Sequence, residues 1–77
     1  MDIELMMLHF TQSMKELADE HEGAASNERL WALGADDTET SNMHIENAAH
    51  NTGMAEFYRY LAERALDLVE TFVEEEL

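Results

Sequence analysis

Residues 54–76, MAEFYRYLAERALDLVETFVEEE, decide what kind of fold this chain makes. Met54, Tyr58, Leu61, Ala65, Leu68 and Phe72 advance in alternating steps of four and three, the spacing that stacks side chains on one face of an α-helix. Alanine, Leu, Glu and Arg, all strong helix formers, fill most of the stretch. On a wheel turning about 100° per residue, with Glu63 at the origin, that seam lies within about 40° of the opposite side. Ala62, Leu66, Val69 and Val73 widen the apolar arc to about half the circumference. One partner helix covers only a narrow seam, so this helix needs at least two neighbours. Leu66, Val69 and Val73 form the flank that a single partner leaves bare. They are the expected self-association surface, with Trp31 as a further anchor or a lid on the core.

The far side of the same helix is acidic. Glu56, Glu63, Asp67, Glu70 and Glu74 all fall within about 40° of the wheel's origin. From Glu63 to Glu74 the steps rise by about 6, 4.5 and 6 Å. Phosphates along a nucleic-acid strand are separated by distances of the same order, so the stripe suits a protein that reads backbone charge. The competing reading is a plain solvated face. Such faces normally mix both signs, yet only Arg59 and Arg64 interrupt this one. Glu74, Glu75 and Glu76 crowd the negative end of the helix dipole; a helix that gathers acids there either frays or meets a basic surface.

Working upstream, Ile3, Met7, Phe10, Met14, Leu17 and His21 repeat the same alternation and predict a helix over about 2–22, closed by Gly23. Ser26 is a good N-cap for a short helix carrying Leu30, Trp31 and Leu33, which Gly34 ends. Residues 35–42 read as a loop, with Asp36 and Glu39 placed to form a capping box that starts the next helix early. Ile45, Ala48, Ala49 and Thr52 then share a weakly apolar face, and Asn51-Thr52-Gly53 is a poor helical segment: a kink, a short break or merely a weak spot in a continuous helix. His44, Asn47 and Asn51 continue the last seam upstream as polar residues suited to fixing helix register. The sum is an all-α fold: a small helical bundle with two long antiparallel helices, about 2–22 and 54–76, and one or two short helices between, completed by homodimerisation.

Composition bounds the function. The 77 residues make one acidic helical domain, 1–77, with a formal net charge of −14. A domain of this size buries only about 60% of its unfolded surface, and a second copy is the usual remedy where no disulfide or metal helps. With no Cys, disulfides, thiolate metal sites and Cys nucleophiles are ruled out. Apolar runs are far shorter than a membrane span, and the acidic start Met1-Asp2-Ile3-Glu4 lacks the basic region of a signal peptide, so a cytoplasmic protein is expected. Direct nucleic-acid or membrane binding needs clustered cations, and the only ones are Lys15, Arg29, Arg59 and Arg64.

Catalytic chemistry finds no foothold. No acid precedes any of His9, His21, His44 and His50 by three residues, the spacing of carboxylate-bridged metal bundles. His44-Ile45-Glu46 has the H-x-E form of nucleoside deaminases, but the cysteine half of that motif is absent. Ser13, Ser26 and Ser41 have no nucleophile setting, and Gly23, Gly34 and Gly53 are too scattered for a phosphate loop. No catalytic residue, metal or cofactor is expected. The functional expectation is a non-enzymatic homodimer that binds a basic protein surface through Glu56, Glu63, Asp67, Glu70 and Glu74, acting as an inhibitor or nucleic-acid mimic toward a nucleic-acid-binding protein or nuclease complex. Small acidic inhibitors that occupy such sites, many of them phage-encoded, have this size and charge, an analogy of composition. The alternative is a structural or adaptor module that binds a partner helix through its apolar flank.

Overall fold

In a computed structural model, which describes residues 2–76 and the side chains of residues 2–71, the chain is a helical hairpin: α1 spans Ile3–Leu33 and α2 spans Thr38–Glu76. Asp2 caps α1, its carboxylate accepting the Leu5 N–H at 3.2 Å. Gly34 stops it, with its N–H bonded to the Leu30 carbonyl at 3.2 Å. Asp37 opens α2 by accepting the Thr40 N–H at 2.7 Å and the Thr40 hydroxyl at 3.0 Å. These bonds favour the ionised carboxyl and hold Asp37 below the usual aspartate range. Its cap is therefore in place at neutral pH and is lost as pH falls through that depressed value. The second helix starts at Thr38, inside the stretch 35–42 read as a loop, and its cap is Asp37 rather than Asp36.

The short helices do not form. α1 runs through Gly23, and α2 runs through Asn51-Thr52-Gly53 without a break. No glycine adopts positive φ, so the left-handed stop expected at Gly23 is absent among the described residues. A glycine inside a helix costs about 1 kcal/mol relative to alanine, and the cross-helix packing that continues through Ala25, Ala48 and Ala55 outweighs that. Both Gly23 and Gly53 face open space, with nothing within 4 Å of an added Cβ. Gly23→Ala and Gly53→Ala should therefore each raise stability by about 0.4–1 kcal/mol, read as higher melting temperatures. A fall in either would mean that the helix needs its glycine.

The core is a ladder of small residues. Among the described residues, Thr11, Ala18 and Ala25 of α1 and Ala48, Ala55, Ala62, Ala65 and Val69 of α2 are buried. Steps of seven relate Thr11 to Ala18 and Ala25, and Ala48 to Ala55, Ala62 and Val69, the repeat of a coiled-coil seam. Small side chains let the two backbones approach closely. The Thr11 hydroxyl donates to the Met7 carbonyl at 2.9 Å, so its burial leaves no polar atom unpaired. Two cross-helix polar pairs fix the antiparallel register. His21 Nδ1–H donates to Asn51 Oδ1 at 2.8 Å and stacks on Tyr58. His44 Nδ1 lies 2.5 Å from Glu28 Oε2. The register role read for His44 and Asn51 has its physical form here, although Asn47 only accepts, through its carbonyl, from Asn51 Nδ2.

The seam is shifted from the one expected. Met7, Met14 and Leu17 are half-buried, but Ile3, Phe10 and Leu68 are exposed. They stand beside the alanine ladder rather than in it. The molecule measures 61 × 16 × 13 Å with a radius of gyration of 17.5 Å, where a compact domain of this length has about 11.5 Å.

Candidate functional site

The register gives the hairpin two unlike sides. On one, Arg59 Nη2 reaches across to Glu22 at 2.5 Å and Asp19 at 3.6 Å, and Arg29 donates to the Thr52 hydroxyl at 2.9 Å. Glu56 lines a shallow groove between the helices with Asp19, Glu22, Arg29 and Arg59. Glu63 lies in a neighbouring depression with Lys15, Asp19 and Leu66. Glu56, Glu63, Asp67 and Glu70 are all exposed, and the side chain of Glu74 lies outside the described residues. The two helices together therefore present one acidic surface, to which α1 contributes Asp19 and Glu22. Those two were missed from sequence because only the cross-helix register brings them beside Glu56.

Three of the four cations stand on this side: Arg29 and Arg59 line the groove beside Glu56, and Lys15 and Arg59 line the depression beside Glu63. Arg59 is engaged by two α1 carboxylates, Asp19 and Glu22. Its hydrogen bond to Glu22 holds that carboxyl below the usual glutamate range. The ion pair thus adds stability at neutral pH that disappears as pH drops through the lowered value, and its exposure keeps the contribution small.

On the opposite side lies an apolar flank. Ile3 and Leu68 line a notch with Met7, Val69 and the acidic Glu4. Stepping one heptad along each helix in opposite directions places Phe10 level with Leu61, and Leu17 level with Met54. Trp31 stands further along the same flank, 56% exposed and tilted against His44 with ring centroids 5.7 Å apart. Of the residues expected to self-associate, Val69 is covered by α1 within one chain, Leu66 is half-buried on the charged side, and the side chain of Val73 lies outside the described residues.

Compared with known protein families, curated proteins and solved structures, the chain matches none.

Function must therefore be argued from these two surfaces. Among the described residues, no group of three or more His, Asp or Glu side chains gathers to hold a metal ion, and no helix is long and apolar enough to cross a membrane. The grooves beside Glu56 and Glu63 are open and shallow, with walls of one helix on each side.

Proposed function

We propose that this protein is a non-enzymatic binding module whose acidic side, Glu56, Glu63, Asp67, Glu70 and Glu74 with Asp19 and Glu22, docks on a basic protein surface. The observation that supports the reading is the excess of exposed carboxylates that both helices of a chain of net −14 place on one side, beside the few cations there, while the other side is mainly apolar. The partner class is a nucleic-acid-binding protein or nuclease complex, whose phosphate-binding surface the rigid row of carboxylates occupies. The effect is inhibition by occlusion in the cytoplasm. In this reading the hairpin acts as a homodimer, so each particle offers two acidic faces. Long-range attraction speeds encounter at low salt and weakens as the Debye length shrinks.

The test replaces Glu63, Asp67, Glu70 and Glu74 with Gln, which keeps size and helix propensity and removes four charges. Immobilised wild type should retain a basic, nucleic-acid-binding protein at low salt and release it to added salt or to competing duplex DNA. The four-fold variant should stay helical and bind that partner about tenfold more weakly or worse, with a flatter salt dependence. A folded variant that binds at full strength makes the acidic side solvation only.

The exposed apolar flank supports a second reading, a structural or adaptor module that takes a partner helix there. Its signature is the reverse: binding indifferent to salt and lost on Trp31→Ala.

A further inference from the structure

The hairpin leaves its larger apolar side chains outside its own core. Ile3, Phe10 and Leu68 are 59%, 41% and 58% exposed, while alanine fills the seam. With Leu17, Met54 and Leu61 they form three level pairs along the half of the hairpin away from the loop. Met6 and Phe57 extend this surface at its edges. We infer that this flank is the contact between two copies of the chain, which meet flank to flank about a two-fold axis as a four-helix bundle.

Three observations choose a second copy as the occupant. The first is area. The chain exposes 5769 Å², whereas a folded monomer of this mass exposes about 4,800 Å². The excess of roughly 1,000 Å² matches the roughly 800 Å² that each partner gives to a standard stable interface. The second is charge. Along its middle, from Phe10 and Leu61 to Leu17 and Met54, the flank holds no Asp or Glu; Glu4 lines the notch at its open end, and the rim holds one acid, Glu20, and one base, Arg64. Two chains of net −14 can meet along the middle of the flank without opposed carboxylates, and the sides carrying Glu56, Glu63 and Glu70 then point outward. A basic partner finds few carboxylates on this flank, against many on the other side, and an anionic bilayer repels the chain as a whole. The third is packing. A seam of alanines buries little apolar area per residue, and flank-to-flank association supplies the large-residue core that the single hairpin lacks.

The assignment specifies the homodimer within the proposed function and is independent of any basic partner. Because the chain has no Cys, single substitutions report burial directly by thiol alkylation. Light scattering should give a dimer for the wild type at micromolar concentration. Leu68→Cys, and Phe57→Cys on the rim, should then be alkylated several-fold more slowly at that concentration than after dilution to monomer. Leu66→Cys and Glu63→Cys should react equally fast at both, with circular dichroism confirming helix throughout. A wild-type monomer overturns the inference and the homodimeric part of the functional reading, and leaves the acidic-side test standing. A dimer in which Leu66→Cys is protected and Leu68→Cys and Phe57→Cys are not overturns the flank alone.

Discussion

An Ala55→Leu variant is expected to melt on the order of 10 °C below the wild type. Ala55 is 1% exposed and sits level with Ala18, the most buried residue of α1. Side chains this small and this buried leave little room between the helices. A leucine at either position adds three carbons where the neighbouring helix already stands, so it must leave its preferred rotamer or push the backbones apart. Overpacking of this kind costs about 1–3 kcal/mol. Domains of this size change melting temperature by about 4–8 °C for each kcal/mol. Ala18→Leu should behave alike, and the two together should depart from additivity because they compete for one space. Thermal unfolding followed by circular dichroism measures all three. A leucine that raises the melting temperature would mean a gap between the helices, and the small-residue seam would not be what holds them.

The same alanines explain which parts of the fold could be read in advance. Alternating steps of three and four announce a helix whichever stripe they mark, so the all-α class and the antiparallel pairing of two long helices were legible. The stripe itself was not. In α1, Ile3-Phe10-Leu17 and Thr11-Ala18-Ala25 lie on either side of Met7 and Met14, and residue size favours the first. Close approach of two backbones selects the second, and that preference exists only once both helices are present. The helix ends were obscured for a similar reason. The penalty at Gly23 is local and visible in sequence, while the packing that overrides it comes from residues more than twenty positions away. The acidic stripe was legible because positions on the outer face of one helix do not depend on a neighbour. The share contributed by Asp19 and Glu22 depends on the register that His21–Asn51 and Glu28–His44 impose.

That register also changes what a charge at Val69 should do. Val69 is buried at the open end of the hairpin, sharing its notch with Ile3, Glu4, Met7 and Leu68. Val69→Glu puts a carboxylate beside Glu4 in an apolar setting, with no cation lining the notch. An unpaired buried charge costs several kcal/mol, so the variant should lose most of its helical signal rather than fall apart into folded monomers. Burial raises the pKa of the new carboxyl, and acidification should restore part of the helix by neutralising it. Leu66→Glu is the comparison. Leu66 is half-buried in a depression lined by Lys15 and Arg59 as well as Asp19 and Glu63, so a carboxylate there meets cations. Its cost should stay near 1 kcal/mol or below, roughly the loss of a partly buried side chain. Circular dichroism and light scattering on the two variants separate the roles of neighbouring positions on one helix. A Leu66→Glu protein that keeps its helices but becomes monomeric would return self-association to the charged side. The apolar flank of Phe10, Leu61 and Leu68 would then be open to a partner helix.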